Sequence, residues 1–236
     1  MLERRIKTSR GNEHVIANND QIVIDWFANE GNQADFLLQQ INEGIHDRFM
    51  PKKDNAVIID CGANIGAFSI FAQDSCSKLI AIEPDPRNQY MFDQLTEQFT
   101  NIILDRSALS NTDGVLKLNI HVAPTCNSII YETDTDLTVD VDTKTIKTII
   151  DQYQLDFVDF IKCDIEGAEV LAITEATIEP VKDKIGSWII EVHQTDRSTS
   201  DWPGNLASNR QQIASILKNA GYATESIRHD TLYAWK

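Results

Sequence analysis

The sequence predicts an α/β fold: a doubly wound, mainly parallel sheet finished by an antiparallel C-terminal strand. Three observations carry this reading. From Val57 onward short apolar runs alternate with helical patterns, which implies parallel strands with helices on both faces. Several of those runs end in a carboxylate followed by a turn, as strands do where an open sheet binds its ligand. The last two runs, Tyr222 to Ile227 and Thr231 to Trp235, read as an antiparallel closing pair.

The elements follow in order. Gln21 to Ile24 is a short β-like run, and Phe36, Leu37, Leu38, Ile41 and Ile45 fall near i, i+3/i+4 spacing, the mark of an amphipathic helix. Residues 1–50 are therefore read as a helical and extended extension covering the site, and 51–236 as the main domain. Strand 57–60, helix 65–76, strand 79–83, helix 87–99 and strand 102–105 come next, with Pro84 forbidding strand continuation before the second helix. Residues 114–146 break the rhythm: 115–120 and 137–141 alternate apolar and polar, as half-exposed antiparallel strands do. This β excursion is either a substrate flap or a plain surface insertion, and it is also the candidate contact of a homodimer. Alternation resumes with strand 157–164, helix 166–174 and strand 188–193. Helix 207–220 then stops at Gly221, a C-terminal stop signal.

Composition narrows the classes. The 236 residues suffice for one α/β domain, and 42% apolar with 24% charged residues describes a globular chain rather than a disordered one. A net charge of −15 disfavours nucleic acid or an anionic membrane surface as partner. No apolar run approaches the length of a membrane span, and Met1 to Arg5 leads into polar sequence without a secretory signal's apolar region. Cys61, Cys76, Cys126 and Cys163 show no metal-binding spacing. Free thiols and a cytoplasmic location are expected.

The most informative stretch is Val57 to Gly66, an apolar strand ending in Asp60 and then a turn bracketed by Gly62 and Gly66. A strand, a tight turn and a helix N-terminus hold nucleotide-like cofactors. Asp60 decides which one: it would repel a pyrophosphate and attract the ammonium of S-adenosylmethionine (SAM). Asn64 stands where a dinucleotide binder has its middle glycine. About 20 residues further on, Glu83 ends the next strand, where an acid grips a ribose diol. Asp164, Glu191 and His193 also fall at strand ends. One such acid is explained by helix capping; five polar residues on one rim are not.

Asp60-Cys61-Gly62-Ala63-Asn64-Ile65-Gly66, Ala81 to Asn88, Phe160 to Glu169 and Ile190 to His193 together resemble the ordered motifs of FkbM-type SAM-dependent methyltransferases. The resemblance spans roughly residues 56 to 195, and the D-x-E-G-A-E element at Asp164 to Glu169 is its most distinctive part. Cys163 and Ile165 depart mildly from the commonest choices. The resemblance implies a class I, Rossmann-like methyltransferase with SAM as cofactor and a hydroxyl on a sugar, glycan or natural product as acceptor. It implies that Asp60, Gly62, Ala63, Asn64 and Gly66 hold the methionine part, that Glu83 with Pro84 takes the ribose, and that Ser107 and Ala108 line the adenine pocket. Asp105 or Asp113 is a candidate for the adenine amine.

Methyl transfer needs a positioned acceptor and a group that takes its proton. Asp164, beside the cofactor, is named first for this and His193 second, with Glu166 and Glu191 orienting the acceptor. Glu166 alternatively favours the first turn of its helix through the dipole, and His193 is alternatively a core histidine. His14, His46, His121 and His229 are expected at the surface, and the tryptophans in the core or rim, with Trp202 a candidate for acceptor contact. Asp164, Glu166, Glu191 and His193 also suit Mg²⁺ or Mn²⁺, but no metal is expected and EDTA should leave activity unchanged. The rival functions are an RNA methyltransferase and a non-catalytic SAM-binding scaffold; a dehydrogenase is remote because of Asp60.

Overall fold

The structure, a computed structural model, describes residues 2–18, 20–22, 46–121, 127–130, 137–195 and 205–236. It opens with a hairpin of β1 (Leu2–Lys7) and β2 (Glu13–Asn18). Thr8, Ser9 and Asn12 at its turn all donate to the carboxylate of Asp74, and the Ser9 N–H donates to the Phe71 carbonyl. Sequence reasoning misses this hairpin because β1 is mostly charged and brings Ile6 into the core with little apolar alternation around it. The strand expected at 21–24 does not form as read: Gln21 and Ile22 are helical. Residues 23–45, including the expected amphipathic helix, lie outside the described residues, as do Cys126 and Trp202.

The remaining strands are β3 (Ala56–Cys61), β4 (Cys76–Ile82), β5 (Ile102–Asp105), β6 (Ala108–Leu109), β7 (Gly114–Asn119), β8 (Thr138–Lys144), β9 (Val158–Cys163), β10 (Ile185–Glu191), β11 (Ala223–Ser226) and β12 (Thr231–Trp235). Seven of them form the main sheet in the order β11-β12-β10-β9-β3-β4-β5. It is parallel from β10 to β5, and β12 runs antiparallel to both of its neighbours. Period-two alternation sends neighbouring side chains to opposite faces. Ile58 joins Phe68, Phe71 and Phe92 on one side, while Ile59 joins Ile149, Ile213 and Leu217 on the other. Both faces are covered, hence the near-continuous apolar runs of β3 and β4.

From β3 the chain steps outward to β4 and β5, then returns to lay β9 and β10 on the other side of β3. The order therefore reverses between β3 and β9, the place where such sheets bind ligands. Between these halves, β6, β8 and β7 make a small second sheet. The expected excursion is antiparallel, with Leu118 and Val141 buried and Val115 exposed. Helix Ile146–Gln152, capped by the Thr145 hydroxyl, follows it.

Three helices differ by three or more residues from their expected bounds, the one expected at 87–99 spanning Pro86–Thr96. The first spans only Ala67–Ala72, and after a 3-10 turn Cys76 already opens β4. The helix expected from Glu166 begins instead at Glu169 and ends at Ala172. Glu166 (φ 52°) and Gly167 (φ 95°) are left-handed, which a right-handed helix cannot accommodate. Among the described residues no helix is long and apolar enough to cross a membrane.

Candidate active site

A cavity of about 600 Å³ opens at the switch point, against the C-terminal ends of β3, β4, β9 and β10. Gly62, Ala63, Asn64, Glu83, Pro84, Ala108, Asp164, Glu166 and Glu191 of the sequence-predicted set line it. Asp60, Gly66, Ser107 and His193 do not. The volume lies within the range of about 300–1,000 Å³ usual for small-molecule sites.

The packing of the protein itself requires both glycines of the turn. A Cβ on Gly62 (φ +75°) would sit 1.8 Å from the carbonyl oxygen of Asp164, so the ends of β3 and β9 touch only because that side chain is missing. A Cβ on Gly66 would meet the Phe92 ring at 2.9 Å. Gly66 thus serves helix packing behind the turn.

Glu83 anchors the second strand end. Its carboxylate accepts from the Asn64 N–H at 2.8 Å, from the Asp85 N–H at 2.9 Å and from Asn88 at 3.3 Å. Burial pushes this carboxyl up to about 7, against the pull of those donors. Asp85 in turn caps helix Pro86–Thr96 and pairs with Arg87. Beside Glu83 the cavity wall is apolar, formed by Ile82, Ala108, Leu109 and Leu118.

Asp60 is placed differently from the expectation. It is fully buried behind the turn, accepts from Ser69 at 2.7 Å and faces the Lys162 ammonium at 3.3 Å. Burial raises its carboxyl, and Lys162 and Ser69 oppose that shift. Lys162 also donates to the Gly62 carbonyl at 2.9 Å and stands 3.6 Å from Asp164 Oδ2. Burial would strip its proton, but the carboxylates of Asp60 and Asp164 hold its pKa above the ordinary value. Asp60 is neutralised inside the fold and reaches a ligand only through Gly62 and Lys162.

Ser107 is likewise structural. Its hydroxyl donates to Asp105, which also takes Lys144, Gln152 and Tyr153. Asp113 accepts from Thr145 and Thr148. Neither aspartate lines the cavity, so neither is placed for an adenine amine.

At the other end of the cavity, carboxylates converge on one imidazole. His193 Nε2 lies 3.8 Å from Asp164 Oδ1, 3.9 Å from Glu166 Oε2 and 3.9 Å from Glu191 Oε1. Its Nδ1 is 3.1 Å from Glu169 Oε1. Burial would lower the His193 pKa, but the bond to Glu169 and the charges of Glu166 and Asp164 hold it well above the ordinary value. Repulsion from Asp164, then burial, raise Glu191 to about 7.

Glu169 is what sequence reasoning missed in its own motif. Fully buried, it accepts from the N–H groups of Ile165 and Gly167 and so holds the left-handed turn at Glu166. The capping role considered for Glu166 belongs to Glu169. Ser128 of the excursion donates to the Glu166 carbonyl at 2.7 Å, and Asn127 and Ile129 join the cavity wall.

His46 corrects another expectation. It is not a surface residue: it lines the cavity, edge-on to Phe68 with ring centroids 5.2 Å apart. Burial lowers its pKa to about 4, so the ring is neutral. No motif surrounds it, and only the fold brings it there. Arg228, Asp230 and Thr231, from the closing hairpin, complete that wall.

Residues 60–223 match the family model described as the methyltransferase FkbM domain. No curated protein matches the chain. Among solved structures, the fibrillarin pre-rRNA processing protein of Methanococcus jannaschii superposes with a TM-score of 0.51 at 17% identity, covering 99% of this chain and 82% of that one. The precorrin-6Y C5,15-methyltransferase of Geobacter metallireducens gives 0.49 at 14% identity, over 83% and 88% of the two chains. At these identities the first likeness speaks for the fold alone. The domain match covers well over half of the chain, and the protein belongs to the FkbM family of methyltransferases, with S-adenosylmethionine as its cofactor.

Proposed function

We propose that this protein is an O-methyltransferase whose acceptor is a hydroxyl of a sugar, a glycan or a natural product. One observation carries the reading: the cavity has two chemically different ends. One end joins the buried Glu83 carboxyl to an apolar wall of Ile82, Ala108, Leu109 and Leu118. That combination fits a nucleoside, with the carboxylate accepting from ribose hydroxyls and the apolar wall against the base. Gly62, Ala63 and Asn64 lie beside it, suited to the methionine portion. When bound, SAM supplies an electrophilic methyl group on a sulfonium.

The other end presents Asp164, Glu166 and Glu191. Carboxylates accept hydrogen bonds, and Glu191, raised to about 7, can also donate one, so this rim suits a ligand whose groups both donate and accept, and a polyol answers that. Asp164 takes the acceptor hydroxyl through Oδ1, because Oδ2 faces Lys162. Glu166 and Glu191 orient neighbouring hydroxyls. The surplus of negative charge here disfavours a phosphate-bearing acceptor, as the net charge of −15 does for the whole chain. The excursion, which carries Asn127 and Ile129 to the cavity, then acts as the acceptor flap, and a cytoplasmic location belongs to the same proposal.

The test is methyl-labelled SAM with purified protein and extract of the native host, fractionated into small-molecule, glycan, RNA and protein pools. Label is expected in the small-molecule or glycan pool. Asp164→Asn should cut transfer by about 10²–10⁴-fold while cofactor binding stays intact. Label in RNA, or full turnover by Asp164→Asn, would overturn the proposal.

A further inference from the structure

We propose that Asp164, Glu166 and His193 bind one divalent cation, of the Mg²⁺ or Mn²⁺ class, which holds the acceptor hydroxyl. The inference rests on the O-methyltransfer reading of the same cavity and reverses the metal-free expectation drawn from sequence.

The donor set is preformed. One atom from each of these three side chains lies within 4.8 Å of the other two. Metal–ligand bonds of about 2.0–2.3 Å place neighbouring donors about 3 Å apart and opposite donors about 4–4.6 Å apart. The 3.8 and 3.9 Å separations from His193 Nε2 fall between these two values, and a donor that becomes a neighbour must close in by about 0.8–0.9 Å. Without an ion the surrounding carboxylates hold a proton on His193, and the cation takes the place of the one on Nε2 and releases it to solvent; Glu191 lies 3.9 Å from the same nitrogen.

A second feature, outside the donor set, points the same way. Metal-binding histidines regularly give their second ring nitrogen to a carboxylate, which fixes tautomer and ring orientation. Here Glu169, fully buried, sits 3.1 Å from His193 Nδ1 and aims Nε2 at Asp164 and Glu166. The same carboxylate secures the turn that presents Glu166. One buried residue thus orients two of the three donors.

The chemistry gives the ion a purpose. Asp164 alone is a weak base for an alcohol, and the Lys162 ammonium 3.6 Å away makes it no stronger. A coordinated hydroxyl is far more acidic than a free one, and its proton then leaves to solvent through the cavity mouth. Asp164 acts on the hydroxyl through the cation.

Mn²⁺ alone is the probe, titrated into the full chain and followed by its electron paramagnetic resonance signal. One ion per chain is expected, with at least tenfold weaker binding in Glu166→Gln and in His193→Gln. Both variants should keep binding S-adenosylhomocysteine, which shows that they fold. No bound Mn²⁺ at millimolar concentration, or binding that both variants leave unchanged, overturns the proposal. So does label transfer to a hydroxyl that EDTA does not diminish. Mn²⁺ bound at this site with no hydroxyl acceptor ever labelled would uphold the cation site and overturn the O-methyltransfer reading instead.

Discussion

With Glu83 holding the ribose, as proposed, lowering the pH should loosen the grip on the nucleoside. The carboxyl titrates near 7 in the ligand-free protein because it is buried, although Asn64, Asp85 and Asn88 donate to it. Ribose hydroxyls donate more strongly to the ionised form than to the neutral acid, so binding favours the carboxylate. With a pKa of about 7, only about 3% of the protein carries it at about pH 5.5, which predicts binding weaker there than at about pH 8 by up to about thirtyfold. The probe should be 5′-methylthioadenosine, which has the ribose but no amino-acid group of its own to titrate. Isothermal titration calorimetry across this range, in buffers of different ionisation enthalpy, reads both affinity and proton release. Glu83→Gln should bind more weakly at high pH and lose the dependence. Affinity equal at the two extremes, or an undiminished slope in Glu83→Gln, would refute the reasoning.

The same shift bears on stability. A carboxyl whose folded pKa lies above its unfolded value of 4.5 favours the fold fully below that value, and the benefit fades as pH rises through 7. The ligand-free protein should therefore lose up to about 3 kcal/mol from this source between pH 4.5 and pH 7 and beyond.

Two more outcomes test the architecture around the cavity. Gly62→Ala places a methyl group 1.8 Å from the Asp164 carbonyl at a left-handed position; a destabilisation above about 4 kcal/mol is expected, and a normal melting temperature would show that β3 and β9 do not meet there. Lys162→Met leaves the buried Asp60 without its partner and should cost about 3–5 kcal/mol in urea unfolding. Adding Asp60→Leu should restore much of that loss, and a double variant no better than the single would mean that the two side chains do not act as a pair.

The cavity wall around the glycine turn was legible because local rules carry it. An apolar strand, a glycine turn and an acid at the next strand end can each be read within a few residues, and Gly62, Asn64 and Glu83 come together at the cavity. Asp60 was read correctly as a strand-end acid but not as a buried one. Its burial depends on Lys162, a hundred residues away, whose chain length lets it reach back to the turn. Ser107 and Asp105 failed for a similar reason: their partners, Lys144 and Tyr153, lie beyond the excursion. His46 was illegible altogether, since nothing around it in sequence marks a site and only the packing of Phe68 and Phe71 against its ring brings it inward.

The motif at Asp164 to Glu169 shows why a local reading can find residues that line the cavity and still misjudge the backbone that presents them. A helix beginning at Glu166 would have been the cheaper backbone. Instead the chain adopts a left-handed conformation at Glu166, one of three non-glycine residues among those described to do so, with Asn64 and Gln154. Gln154 follows helix Ile146–Gln152, where helices commonly end in this conformation. The other two line the cavity. Such residues cost about 1–3 kcal/mol each and persist only where their surroundings over-determine them. At Asn64 the constraint is the bond from its N–H to Glu83. At Glu166 it is Glu169 beneath and Ser128 alongside. Each strained residue is thus held by a contact that also builds the site. The strain places Asn64 and Glu166 in the wall of the cavity, which a regular helix start at either place would not do.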